Sequence, residues 1–508
     1  MVYQPTGWGQ PAPRRPGSAR ATGRTRWTTV LTRSSRPGTT ARARHPTQQK
    51  RGRELVVTTT LTTRIPRSWV IPTSEAADRR PENARILNTL TVLLFCNIFL
   101  QRLAIPVAGA QLQLILPITI VGVIVMMSRG DIQVNVGRLR AYLLAMTACC
   151  AAGLVSFLRE LDDTALTSLI LLFGTYIPLC FGLSPADSRA LFPKLLDRFV
   201  NLTTILAGVA LFQFAIQLVG WQYTDVLSVI PADFRMHGFN TSYPVQYGSS
   251  IYKSNAFICL EPSFCSQFLG FGIVVCVLRG GSWWRYVMYV LALLSTVSGT
   301  GVLLLAAALV LLSVHKGARF ATTALVGVSI VVLILSFTPA ADIFAQRATE
   351  TSSNNSSGSL RFVQPYTRTW EALDKDPLTV LFGSGPGFAD RDAAAFYLKT
   401  SLPLNYALLP KLVLEYGVIG TVAFLAFVMA MFVRGSPSFV LSGSVIVFYS
   451  ILSGGLLSPV VTALGMLLVS WFTATPEDER WSRSRESSPA DPSSPPPPGR
   501  LTPAQRSA

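Results

Sequence analysis

The sequence is short of charge: Asp, Glu, Lys and Arg make up only 14% of its 508 residues, against 50% hydrophobic residues. A soluble enzyme of this length would show apolar residues as short periodic stripes. Here they form blocks of about 17–22 residues, long enough to span a bilayer at 1.5 Å per helical residue. Histidine is also scarce. His45, His237 and His315 lie far apart, and no metal-ligand spacing is present, so chemistry without a metal or other cofactor is expected. The cysteines are few and scattered. Cys96, Cys149, Cys150, Cys180 and Cys276 fall inside apolar blocks, where a thiol is most simply a small core residue. Cys259 and Cys265 flank Glu261 and read either as two free thiols, the simpler choice, or as a disulfide on an oxidising face.

What charge there is sits at one end. The formal net charge is +18, but residues 1–85 carry a local net of +13 and the segment from Thr475 is neutral. The remaining +5 is unremarkable for the core, which argues against nucleic acid as a partner. Residues 1–85 are rich in Pro, Ser, Thr and Gly without apolar periodicity, as are residues 474–508 in Pro and Ser; both are expected to be disordered cytoplasmic tails. The basic tail suits attraction to anionic lipid, and it has no apolar core of the kind a cleavable signal peptide needs.

The apolar blocks of 86–473 predict an all-α polytopic membrane protein with twelve spans, centred near residues 95, 119, 149, 174, 209, 271, 291, 307, 329, 421, 446 and 465. The turns "STVSGTG" and "SGGLLSP" are so short that merging the helices either side of them gives eleven or ten spans. With the basic tail inside, the short inner loops hold eleven Lys and Arg residues and the short outer loops only Arg159, a clear positive-inside bias. The expectation is a multi-pass plasma-membrane protein with both termini cytoplasmic and two long outer loops, 221–261 and 339–410. Long loops in a helical bundle are usually functional or disordered. These hold aromatic residues and mixed charge, with "TETSSNNSSGS" in the second as a flexible flap.

A carrier marks its pathway with ionisable residues inside the spans. Here they gather at the outer mouth: Arg235, His237, Lys253 and Glu261 from the first loop, and Arg361, Arg368 and Lys411 among those from the second. Glu415 lies about one turn into the tenth span. In "GSLRFVQPYTRTWEALDK", Arg361 and Arg368 are seven apart, so both guanidiniums can face one way and fork a pyrophosphate; solvation or pairing with Glu371, Asp374 and Asp376 is the simpler explanation of the spacing alone. "FGSGPGF" lacks the Lys and Ser/Thr of a nucleotide-phosphate loop and reads as a tight turn. In "LPLNYALLPKLVLEYGVIG", Gly417 and Gly420 suit close helix packing, which leaves Asn405 and Tyr406 at the lip unexplained. Glu261 and Pro262 read as the start of the sixth span, with the carboxylate complementing the helix dipole. That carboxylate can also hold an arginine or accept a proton from a sugar hydroxyl.

"SNAFICLEPSFCSQFLGFGI" resembles the Glu-Pro-Ser segment of bacterial O-antigen and exopolysaccharide polymerases. "RFVQPYTRTWEALDKDPLTVLFGSGPGF" followed by "NYALLPKLVLEYGVIG" resembles the second outer loop and re-entry of the same superfamily, which includes the O-antigen ligases. The resemblance covers roughly Arg235 to Gly420. It implies a metal-independent glycosyltransferase that joins glycan units carried on undecaprenyl pyrophosphate at the outer face, with a flippase and a chain-length regulator as possible partners. Outer-loop arginines hold the pyrophosphate in that family, a role that Arg361 and Arg368 match best and Arg235 next. Asn405 and Lys411 complete the candidate substrate-binding residues. Where the ligases carry a histidine base this chain has Tyr406, which favours a polymerase over ligase-like transfer to another acceptor; Glu261 is the first choice of base and His237 the second. The competing class is a twelve-span transporter.

Overall fold

A computed structural model of the protein describes residues 81–472 apart from 108–109, 160–164, 247, 338–356, 434–435 and 453–455. Both expected tails therefore lie outside the described residues, as does most of the expected flap, except that residues 81–85 belong to the first helix rather than to a tail.

The apolar blocks form helices α1 (Pro81–Phe99), α2 (Ile115–Ser128), α3 (Val136–Leu158), α4 (Leu166–Tyr176), α5 (Pro185–Leu218), α6 (Pro262–Arg279), α7 (Trp283–Ser295), α8 (Gly299–Lys316) and α9 (Ala318–Ser336). Four short helices follow: α10 (Ser357–Phe362), α11 (Gln364–Leu373), α12 (Pro377–Phe382) and α13 (Phe388–Thr400). Then come α14 (Leu408–Val433), α15 (Phe439–Val447) and α16 (Pro459–Leu468). Two small antiparallel ladders complete the described fold: β1 (Ala104–Val107) with β2 (Ala110–Gln113), and β3 (Gln133–Val134) with β4 (Phe181–Gly182). Each of the twelve span centres falls inside α1–α9 or α14–α16. Five of these helices, α3, α5, α6, α8 and α14, are long and apolar enough to cross a membrane, and five shorter apolar stretches accompany them.

Local sequence sets the ends of the central helix. Pro262 occupies the first turn of α6, where its missing N–H costs nothing, and Gly280 closes the other end at φ 70°. Between them, every residue from Pro262 to Cys276 is buried. A helix apolar all round belongs in a core, and α5, α7, α8 and α15 pack around this one. By contrast α9 exposes apolar residues on nearly every face, including Leu325, Val332, Leu333 and Ile334, a surface suited to hydrocarbon rather than water.

Gly301 brings α6 and α8 into backbone contact. A Cβ there would lie 2.4 Å from the Ser266 carbonyl oxygen, so only glycine allows this approach. The Gly301 N–H donates to Ser266 Oγ at 3.1 Å, and the Thr300 hydroxyl reaches the Ser263 carbonyl at 3.3 Å. Together these contacts hold the amino end of α8 beside the amino end of α6.

The second special glycine breaks a helix. Gly417 (φ 62°, ψ −168°) interrupts α14, and the turn after α12 docks against the break. The Ser384 N–H donates to the Leu414 carbonyl at 2.8 Å and the Gly385 N–H to the Glu415 carbonyl at 3.0 Å, satisfying carbonyls that the interrupted helix would leave open. A Cβ on Gly417 would lie 2.3 Å from the Leu381 carbonyl oxygen. "FGSGPGF" is thus more than a tight turn, and Gly417 serves the break rather than ordinary helix packing.

Candidate functional site

The amino ends of α6 and α8 open into a cleft of about 240 Å³. Glu261, Pro262 and Ser263 line it from α6, and Ser298, Gly299 and Thr300 from α8. Asn240, Tyr243 and Lys253 reach it from the segment before α6, and Arg361 and Phe362 from α10. Helix amino ends carry unpaired N–H groups and the positive end of the dipole. With Lys253 and Arg361 against Glu261, the lining side chains carry a formal net charge of +1. The arrangement suits an anion.

Glu261 holds Arg361. The guanidinium donates to Glu261 Oε2 at 2.7 Å, and Ser263 Oγ donates to the same oxygen at 2.9 Å. Two donors on one oxygen make positioning of Arg361 the role this geometry gives Glu261. Lys253 is buried, with its Nζ 4.6 Å from the centre of the Tyr243 ring.

The chain leading to Glu261 is strained. Ala256 (φ 54°) and Phe257 (φ 61°) are left-handed without being glycine, at roughly 1–2 kcal/mol each. A buried network offsets this. Gln213 Oε1 accepts from the Asn255 and Phe257 N–H groups at 3.0 and 3.2 Å and from Ser254 Oγ at 2.9 Å. Arg102 donates to the Phe257 carbonyl at 2.7 Å and forks Asp225 at 2.7 and 2.5 Å. Burial alone would raise the Asp225 carboxyl, but the Arg102 fork outweighs it and holds the group below its ordinary range.

Arg235 and His237 sit in a different setting. Leu103 bridges Arg235, Gln111 donates to the Arg235 carbonyl at 2.8 Å, and the His237 N–H donates to Gln111 Oε1 at 2.7 Å. The Arg235 guanidinium lies 4.0 Å from Asp225, and the His237 side chain is exposed. Neither residue lines the Arg361 cleft.

Arg361 and Arg368 do not share a continuous helix. Val363 separates α10 from α11, and Arg368 takes its own carboxylate, forking Asp392 at 2.7 and 2.5 Å. Tyr406 donates to Asp392 Oδ2 at 2.6 Å. Burial, then the Asp392 carboxylate, push the Tyr406 phenol far above its ordinary value, so it stays protonated and does not fit a base. Burial would also raise the Asp392 carboxyl, but Arg368 and Tyr406 outweigh it and the carboxyl lies below its usual range. Lys411 is buried against Asp390 at 2.7 Å, with Glu415 at 3.8 Å. Asn405 is exposed, and its N–H donates to the Leu360 carbonyl at 3.3 Å. Cys259 and Cys265 are both buried free thiols.

Of the expected site residues, the structure therefore brings Glu261 and Arg361 together in one cleft, and Arg368 and Tyr406 together around Asp392. Sequence reasoning missed Asp392 and the contribution of Ser298 to Thr300. The signal for the latter was present in "STVSGTG", where Ser and Thr precede an apolar run as at a helix start. No protein-family model matches the chain, and a comparison with curated proteins finds no match.

Proposed function

We propose that this chain is a twelve-span glycosyltransferase of the plasma membrane, with both termini in the cytoplasm. It extends a surface polysaccharide at the outer face by joining oligosaccharide units carried on undecaprenyl pyrophosphate. The observation that carries this reading is the cleft in which Arg361, Lys253 and the amino ends of α6 and α8 converge. Such a cleft complements a pyrophosphate, whose isoprenoid tail can stay in hydrocarbon beside the apolar helices. An acceptor sugar hydroxyl attacks the anomeric carbon and gives its proton to water, the bond to the pyrophosphate oxygen breaks, and the lipid pyrophosphate leaves with the bonding electrons. Pyrophosphate is already a competent leaving group, so orientation and charge neutralisation supply most of the catalysis. Arg361 and Lys253 neutralise the departing charge, and Glu261 orients Arg361. Tyr406, protonated against Asp392, supports the loop rather than taking the hydroxyl's proton. Ligase-like transfer to a different acceptor uses the same donor half of the site.

The test is the purified protein in liposomes with a polyprenyl-pyrophosphate oligosaccharide, followed for longer glycan with and without chelator. Extension that survives chelation and is lost in Arg361→Gln supports the reading; absence of extension with the cognate donor overturns it. A transporter is the second reading, favoured by the break in α14 beside the fully buried Glu415, since broken helices with ionisable residues are a common carrier device. Accumulation of solute inside the same liposomes, without glycan extension, would favour it.

A further inference from the structure

α6 and α8 both begin at the cleft, so their last turns mark the other end of the bundle. The two helices meet there, with Lys316 Nζ donating to the Val277 carbonyl at 2.7 Å. Arg279 forks Asp197 on α5 at 2.8 and 2.9 Å, which neutralises that pair. Two neighbouring arginines stay uncompensated. Arg285, in the first turn of α7, meets no carboxylate among the described residues: its guanidinium donates to Asn201 Oδ1 on α5 at 2.9 Å, and its Nε completes no hydrogen bond. Arg198, one turn before Asn201 on α5, is exposed and has no side-chain partner among the described residues.

Apolar surface adjoins both cations. Ile205 and Phe212 follow Arg198 at seven-residue intervals and are exposed, so the arginine tops an apolar stripe on α5. Trp283 and Trp284 are exposed beside Arg285, whose guanidinium carbon lies 5.4 Å from the centre of the Trp284 ring. Tryptophan favours the level at which hydrocarbon gives way to headgroups. Tyr289 ties α7 to α5, donating to the Val200 carbonyl at 2.8 Å, so the arginines are held on two packed helices.

The geometry points to a binding site for an anionic phospholipid at this end of α5 and α7. Arg198 and Arg285 take the phosphate, Trp283 and Trp284 sit at the glycerol level, and an acyl chain lies along Ile205 and Phe212. A zwitterionic lipid brings its own cation and gains little from two uncompensated guanidiniums, whereas a lipid of net negative charge gains from both. The site is separate from the Arg361 cleft and holds whatever chemistry occurs there.

The test is native mass spectrometry of the full-length protein titrated in micelles with phosphatidylglycerol or with phosphatidylcholine of the same chain length. Preferential binding of phosphatidylglycerol is expected, weakened about fivefold in Arg198→Gln or Arg285→Gln and roughly twenty-fivefold in the double variant. Arg319→Gln removes an exposed cation from the same end, outside the site, and should leave binding as it was. Arg198→Gln breaks no internal bond, so it decides the matter should Arg285→Gln not fold. Equal binding of the two lipids overturns the inference, as does unchanged binding in Arg198→Gln. A loss in Arg319→Gln equal to that in Arg198→Gln also overturns it, because it would mark diffuse attraction to any basic surface.

Discussion

If Arg361 is an anion-binding group and Glu261 its counter-ion, removing the arginine should do two kinds of damage, one of them reversible. Arg361→Gln deletes a charge-assisted hydrogen bond to the ligand, worth about 1.5–3 kcal/mol. It also leaves the Glu261 carboxylate, 14% exposed, facing the cleft with Ser263 as its remaining donor. A carboxylate about 6 Å from a phosphate repels it by about 3 kcal/mol at an effective dielectric of 20. Because Arg361 is 25% exposed and the cleft is open to water, about 1 kcal/mol is the better expectation after screening. Binding of a fluorescent short-chain isoprenyl pyrophosphate to the protein in nanodiscs, at fixed ionic strength, should therefore weaken about 60- to 700-fold in Arg361→Gln. The double variant Glu261→Gln/Arg361→Gln should recover about fivefold of that loss. Unchanged thermal stability must accompany each measurement. If the double variant binds no better than the single one, Glu261 is not the counter-ion of this site and the charge reasoning fails.

Gly417→Ala adds a left-handed penalty and a clash with the Leu381 carbonyl, and should destabilise the protein by about 3 kcal/mol or more; an unchanged unfolding temperature in detergent would refute the account of the break. Asp392→Asn should cost about 1–3 kcal/mol by unpairing Arg368, a range that allows for their partial exposure. Since the Asp392 carboxyl is depressed in the folded protein, its contribution is present above the usual carboxylate range and disappears as pH falls through the folded value, so the wild type but not the variant should lose stability there. Tyr406→Phe should cost about 1 kcal/mol of stability and leave the shape of the pH–rate profile unchanged; loss of its acidic, ascending limb would make Tyr406 the base after all.

The helices were legible because hydrocarbon-length apolar blocks need no knowledge of their neighbours. Glu261 at the start of α6 was legible for a similar reason, since Pro262 marks a first helical turn by its own chemistry. The arginines were not, because the seven-residue spacing concerns one helix only. Val363 interrupts that helix, and the two partners, Glu261 and Asp392, come from other parts of the chain. Gly417 was misread on the same principle. A glycine inside an apolar run signals close packing and helix breaking alike, and only the docked backbone of residues 383–385 separates them.

The segment before α6 is fastened at several points. Leu103 and Gln111 grip it at Arg235 and His237, Arg102 grips it at Asp225 and Phe257, and Gln213 fixes its last turn. That wall of the cleft cannot swing alone without dragging the β1–β2 ladder between α1 and α2 with it. On the proposed reading, a bulky headgroup would then enter at the opposite wall, where α10 meets the fixed one through the Arg361–Glu261 bond. An entering diphosphate that captures Arg361 from Glu261 would unfasten the gate it has to pass.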